Sequence, residues 1–316
     1  MKIWVLADDR AGNVSQILGI AEALNKPFDI KKIRYTAFGQ LPNMLRGSTL
    51  IGVDKSESDE LEGPWPDVVL SAGRKTAPIA RFIKQQSDDK AKLVHLMWPG
   101  VAANDFDLVV VPEHDQREES DMLMHSYGAP NRITTVKLEE EQKKWQDKFG
   151  GFPSPRVGLL VGGDTKKGKF TTGHATDLAA KMTTLLSTKH GSVLATTSRR
   201  TSQEAAIKLQ KGIRGDKYFY DYTSGDENPY FGIMALADVL VVSGDSISMC
   251  SEACSTGKPV YIYAPSDLMP AKHQAFHQQL YEKGLARPLT GVLEMWDYDP
   301  LQEAKRIATK VLALSK

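Results

Sequence analysis

The chain has 316 residues, long for one doubly wound sheet and suited to two domains. A formal net charge of +1 supplies no global field to hold nucleic acid or an anionic membrane, and no apolar run approaches the length of a membrane span. The two cysteines, Cys250 and Cys254, stand one helical turn apart and read as buried thiols rather than a disulfide or a metal site. They favour a reducing compartment, and the expected location is cytoplasmic. Residues 2–7 (KIWVLA) run into a charge pair too soon for a secretory signal and read as a first strand. Asp8 to Gly12 form a turn, and Val14, Ile17, Leu18, Ala21 and Leu24 follow at helical spacing. Phe28 to Tyr35 reads as a second strand, Leu41 to Arg46 as a short helix, and Ser56 to Pro66 as a polar loop. Further strands are expected at 67–71, 92–97 and 108–111, with a helix at 76–86 and one more strand at Ile133 to Val136.

The stretch from Glu139 to Pro155 turns charged and then rich in Gly and Pro, so a short helix and a linker are expected there. The alternation restarts with strands at 157–161, 192–196, 217–221, 239–242 and 260–263. Helices are expected at about 173–190, 201–211, 229–236, 246–255, 271–283 and 301–314. The fold class is α/β, with two Rossmann-like doubly wound domains facing a cleft. The expected boundaries are 1–150 for the N-terminal domain, 151–296 for the C-terminal domain, and 297–316 for a final segment.

In the second half each strand ends in polar or glycine-rich sequence, where parallel sheets bind ligands. Gly162-Gly163-Asp164-Thr165 allows close backbone approach to a phosphate, although neither a GxxxxGK[ST] nor a GxGxxG pattern is present. Ser198 and Arg199 open a helix, where hydroxyls and a bidentate guanidinium suit a diphosphate. Asn228-Pro229-Tyr230 suits a helix cap or a base-binding loop. The turn Ser243-Gly244-Asp245-Ser246 leads into a helix carrying Ser248, Met249 and Glu252. All of these also suit ordinary turns and caps with exposed charges. In the first half, Asp8, Gly12 and Asn13 occupy the first strand–helix turn, and Gly73 and Arg74 follow a buried strand. His114 lies between Glu113 and Asp115, where a carboxylate can orient a general base or the whole turn can be solvated. His95, in an apolar run, reads as a hydrogen-bonded core histidine. No metal-ligand spacing and no G-x-S-x-G nucleophile elbow occur.

The segments Asn228-Pro229-Tyr230 to Ala237-Asp238, Asp245 to Met249, Ser251-Glu252-Ala253 and Thr256-Gly257-Lys258-Pro259-Val260 resemble the elongated-mitochondria family of plant mitochondrial fission proteins and their bacterial homologues. Gly12 with Gln16 and Gly19, Ala72-Gly73-Arg74, Pro112 to Asp115, Gly162-Gly163-Asp164, Thr197 to Thr201 and Phe276 to Gly284 extend the match over most of the chain. Asp8-Asp9-Arg10-Ala11 departs from the Asp-Gly start the family implies. The family is similar in turn to GT-B glycosyltransferases of the MurG type. The resemblance implies a nucleotide-sugar, UDP-type first, held by the C-terminal domain, with Glu252 on the ribose and Ser246 to Ser248 at the diphosphate or sugar. It implies substrate contacts from Gly12, Asn13, Gly73, Arg74, Gly162, Gly163, Thr165, Ser198, Arg199, Asn228, Pro229, Tyr230, Asp245, Ser246, Ser248, Met249 and Glu252, with His114 or Asp8 as acceptor base. No cofactor and no metal are expected, the acceptor is unassigned, and a final helix is expected to return to the first domain. A peripheral membrane contact stays compatible with this reading. A fission-type adaptor and a nucleotide-sugar epimerase are the alternatives to a glycosyltransferase.

Overall fold

The computed structural model describes residues 1–100, 103–115, 117–118, 120–187 and 190–314. Two compact units emerge, Met1–Arg132 with Gln302–Lys316, and Ile133–Leu301. Unit 1 contains β1 (Ile3–Ala7), α1 (Ala11–Ala23), β2 (Phe28–Lys32), α2 (Asn43–Arg46), β3 (Val68–Ala72), α3 (Ala77–Gln86), β4 (Lys92–Leu96), β5 (Leu108–Pro112) and β6 (Leu123–Ser126). Its sheet has the order β2-β1-β3-β4-β5-β6, and every pair is parallel. β1 and β3 are buried along their whole length, which is why their sequences are apolar without alternation. The order reverses between β1 and β3, so the carboxyl ends of these two strands flank the switch point of the sheet.

Unit 2 begins with α4 (Thr135–Phe149), then β7 (Arg156–Leu160), α5 (Thr172–Leu185), β8 (Ser192–Thr196), α6 (Gln203–Gly212), β9 (Asp216–Tyr220), α7 (Tyr230–Leu236), β10 (Val239–Ser243), α8 (Ile247–Cys254), β11 (Val260–Tyr263), α9 (Ala271–Glu282) and β12 (Arg287–Pro288). Its all-parallel sheet runs β12-β11-β10-β7-β8-β9, with the switch point between β7 and β10. Each unit is therefore a doubly wound, Rossmann-like α/β layer structure.

Three local expectations are corrected. Ile133 to Val136 is not a strand, because Thr134 Oγ1 accepts the Lys137 amide at 3.1 Å and caps α4. The sixth strand of unit 1 is instead β6, a short edge strand whose middle residues are only half-buried, so its apolar signal is weak. The helix expected at 173–190 ends at Leu185. The division between units also falls at residue 132 rather than 150. On α4, Trp145 stacks on Phe149 at 5.4 Å and lies against Gly232 of α7 so closely that a Cβ there would strike the indole. That packing draws α4 into unit 2.

A last helix, α10 (Glu303–Leu314), joins unit 1. Its Ile307, Ala308 and Val311 share a buried core with Ile3, Val5, Ile17, Ile20 and Leu70. Glu303 fastens its start by accepting the Tyr127 amide at 3.1 Å. Among the described residues no helix is long and apolar enough to cross a membrane. Cys250 and Cys254 are free buried thiols. Ile307 is fully buried, so Ile307→Ala is expected to cost about 2–5 kcal/mol of unit 1 stability. Hydrogen exchange checks this: β1 and β3 amides should lose protection while β7 and β10 amides keep theirs.

Candidate functional site

Three strand-end turns of unit 2 meet at the switch point of its sheet. The turn after β7 presents the Gly162 amide to Ser243 Oγ at 2.6 Å and the Gly163 amide to Asp245 Oδ2 at 3.0 Å. The turn after β8 closes on the same place. Thr201 Oγ1 donates to Gly162 O at 2.6 Å, Ser198 Oγ donates to that carbonyl too, and Arg200 Nη2 pairs with Asp245 Oδ2 at 2.7 Å. Only glycine fits here. A Cβ on Gly162 would run into the Asp245 carboxylate, and Gly163, at φ +144°, would meet the Arg200 carbonyl. Burial pushes the Asp245 carboxyl above its ordinary range, against the pull of Arg200 and the Gly163 amide.

From this knot α8 runs out with Ser246 as its cap, the Ser246 hydroxyl accepting the Met249 amide at 3.3 Å. Glu252, half-buried on the next turn, accepts the Tyr230 hydroxyl on Oε2 at 2.5 Å. Burial raises the Glu252 carboxyl, and Tyr230 opposes the rise without cancelling it. Burial and the Glu252 charge together raise the Tyr230 phenol. Tyr230 opens α7, where Asn228 Oδ1 accepts its amide at 3.0 Å and Pro229 occupies the cap position. The far end of α7 is tied by Lys258, whose Nζ donates to the carbonyls of Met234, Ala235 and Ala237 at 2.8, 2.5 and 2.6 Å. Burial lowers the Lys258 pKa to about 8.

The structure thus brings Gly162, Gly163, Ser198 and Asp245 into one network, and Asn228, Tyr230 and Glu252 into another. Pro229, Ser246 and Met249 serve the two helix starts. Thr165 is committed elsewhere: its hydroxyl donates to Leu268 O at 3.0 Å and accepts the Lys167 and Gly168 amides at 3.1 Å each. Ser248 is half-buried and Arg199 is exposed, and neither side chain is hydrogen-bonded among the described residues. Arg200 and Thr201, rather than Arg199, hold the turn. The sequence pattern of adjacent hydroxyls and arginines contained both but could not say which faced inward.

In unit 1, Asp8 is buried after β1 and accepts the Arg10 amide at 3.0 Å. Burial raises its carboxyl pKa. Gly73, at φ +76°, ends β3 with space for the Asn13 amide, whose Nδ2 a Cβ would approach to 2.7 Å. Arg74 donates to Leu41 O at 2.7 Å and Gln40 O at 3.3 Å, and Gly12 is exposed. His114 falls in the helical turn Glu113–Asp115, and its side chain lies outside the described residues. His95 is fully buried, its Nδ1 sharing a hydrogen bond with Ser71 Oγ at 2.8 Å, and burial lowers its pKa to about 3. No group of three or more His, Cys, Asp or Glu is placed to hold a metal among the described residues.

Two parallel doubly wound units with glycine turns at their switch points define a GT-B-like α/β protein. The fold is similar to a UDP-GlcNAc 2-epimerase from Methanocaldococcus jannaschii, with a TM-score of 0.54 at 12% identity, covering 99% of this chain and 100% of that one. It is likewise similar to the Neisseria meningitidis UDP-GlcNAc 2-epimerase bound to UDP-GlcNAc, with a TM-score of 0.50 at 14% identity, covering 99% and 100% of the two chains. The chain belongs to the mitochondrial fission ELM1 family, whose model matches residues 11–314. It is 29% identical to an uncharacterised protein of Rickettsia prowazekii over 98% of this chain and 97% of that protein. It is 30% identical to mitochondrial fission protein ELM1 of Arabidopsis thaliana over 80% of this chain, and spans 64% of that longer protein.

The raised Glu252 pKa has a sign that can be measured. While Glu252 is ionised the folded state carries the burial penalty, and this fades as pH falls through the raised value toward the unfolded one. Glu252→Gln, which still accepts from Tyr230, is therefore expected to raise the urea midpoint at neutral pH. The advantage should shrink on acidification and vanish below about 4.3. A midpoint difference independent of pH would contradict the assignment.

Proposed function

We propose that unit 2 binds a nucleoside diphosphate sugar of the UDP type, and that the protein is a GT-B-type glycosyltransferase. The observation that carries this reading is Glu252. A carboxylate whose ionised form is penalised stands on the helix leaving the switch point, with Oε2 on Tyr230 and a second oxygen left to accept from a ribose hydroxyl. The α8 N-terminal amides and the exposed Arg199 offset the diphosphate charge without a metal. Gly162 and Gly163 keep the β7 turn low, and Asn228 to Tyr230 flank the base side.

In the transfer step an acceptor hydroxyl oxygen attacks the anomeric carbon, the bond from that carbon to the phosphate oxygen breaks, and the nucleoside diphosphate leaves. The acceptor proton passes to Asp8 or His114. Burial moves the Asp8 carboxyl in the direction a base working near neutral pH requires. Gly12, Asn13, Gly73 and Arg74 line the same strand ends and would contact the acceptor.

One observation favours a non-catalytic, adaptor-type reading. Ser198, Thr201 and Thr165 spend their hydroxyl donors on the protein's own carbonyls, leaving few free donors for a diphosphate. A thermal-shift series separates the readings. UDP at a hundredfold excess over its Kd should stabilise the protein by about 2.7 kcal/mol, and Glu252→Ala should remove the shift. Donor hydrolysis or transfer identifies the enzyme, whereas donor binding without turnover across acceptors identifies the adaptor. Sugar conversion with no acceptor identifies an epimerase. No shift with any nucleoside diphosphate at millimolar concentration would defeat the donor site itself.

A further inference from the structure

The segment between β2 and β3 is turned inside out at α2. Met44 and Leu45 are 75% and 67% exposed, yet the next residue, Arg46, is fully buried. Arg46 Nε donates to Ile51 O at 3.0 Å and Nη1 to Lys75 O at 3.2 Å, whereas Nη2 has no partner among the described residues. The buried Tyr35 hydroxyl has none either. The two groups belong together, because the Arg46 guanidinium carbon lies 5.7 Å from the centre of the Tyr35 ring. Lys75 Nζ approaches the same ring to 4.8 Å and pairs with Asp9 at 3.2 Å, and Lys75 is itself buried.

A buried donor left without an acceptor is costly, and native structures keep such atoms where water or a ligand completes them. Here one is a cation and the other a phenol, and burial holds that phenol protonated, so both are donors. Arg10, Arg46, Arg74 and Lys75 stand against Asp8 and Asp9, so the local field favours an anion. Arg46 Nε is taken by a carbonyl, which closes the Nε–Nη2 side-on fork that suits a planar carboxylate, and Nη1 is held by a second carbonyl. Separate single donors on Arg, Tyr and Lys suit a tetrahedral phosphoryl group instead. The place is also a ligand-binding position of the sheet. Asp8 follows β1, Lys75 follows β3, and Ile33, just before Tyr35, continues the β2 pairing onto Ala7 O at 2.8 Å.

We propose that Tyr35, Arg46 and Lys75 form a phosphoryl-binding site in unit 1. The site does not depend on a donor site in unit 2. The test is thermal shift and calorimetry on the full chain with inorganic phosphate, with acetate at matched ionic strength as the control. Phosphate should stabilise the protein and acetate should not. Tyr35→Phe, which deletes only an unpartnered hydroxyl, should fold normally and weaken phosphate binding at least about tenfold. Arg46→Met should abolish it, and should Arg46→Met fail to fold, Tyr35→Phe decides alone. Arg199→Ala, which removes the exposed cation of the unit 2 site, should keep the phosphate effect.

An absent phosphate shift, an equal shift with acetate, or a phosphate affinity unchanged in Tyr35→Phe would overturn the site. So would loss of phosphate binding in Arg199→Ala, because the anion would then sit in unit 2. Phosphatidylcholine vesicles carrying phosphatidate identify the source of the group. Binding tighter than to inorganic phosphate and sensitive to Tyr35→Phe assigns a lipid headgroup, in keeping with exposed Phe38, Met44, Leu45 and Ile51 on the same segment. Binding no tighter than to inorganic phosphate assigns a soluble phosphorylated ligand.

Discussion

Asp245 puts a carboxylate into the middle of the unit 2 sheet end, and the surrounding turns are arranged to hold it. The Gly163 amide and Arg200 supply its partners, and Gly162 gives up a side chain so that the carboxylate can fit. Three turns from β7, β8 and β10 become one rigid platform. The helix α8 starts from that platform, so the position of Glu252 is inherited from Asp245. A buried carboxylate held by a cation and an amide is costly to break, because the partners left behind stay desolvated. The platform therefore sets its geometry before any ligand arrives.

The two switch points differ in how they treat hydrogen bonds. In unit 2 the serine and threonine hydroxyls close on the protein's own backbone, and the chemistry left over concentrates in the Glu252–Tyr230 pair. In unit 1 the strand ends gather cations, and some of their donors stay unmatched by the fold. The first end spends most of its polar groups on its own residues, Asp245 Oδ1 excepted, and the second leaves cationic and phenolic donors unmatched. Polar networks of the first kind confer rigidity, while those of the second kind mark recognition.

Much of the scaffold was legible because buried parallel strands leave an unmistakable trace. Val239 to Val242 and Val68 to Leu70 are apolar on both faces, and the glycine and hydroxyl residues after strands announce turns. Ser246 could be read as a cap from its place before Ile247, and Cys250 and Cys254 as buried thiols. β6 was hidden because an edge strand with half-exposed residues lacks that pattern. Ile133 to Val136 misled for the opposite reason: β-branched residues that favour strands here include a helix cap. Tyr35 and Arg46 carried no motif at all. Their association comes from an irregular segment folding an arginine inward, and no local spacing encodes it.

The return of α10 bears on how the chain is made. Unit 2 is one continuous stretch, Ile133–Leu301, and holds all its core residues once that stretch has emerged from the ribosome. Unit 1 is translated first, yet Ile307, Ala308 and Val311 of its core come after everything in unit 2. The earlier-synthesised half must wait, with an uncovered strip along β1 and α1, while the later half folds ahead of it. During that interval a holding chaperone, or the nascent chain's own neighbours, would find unit 1 rather than unit 2 incomplete.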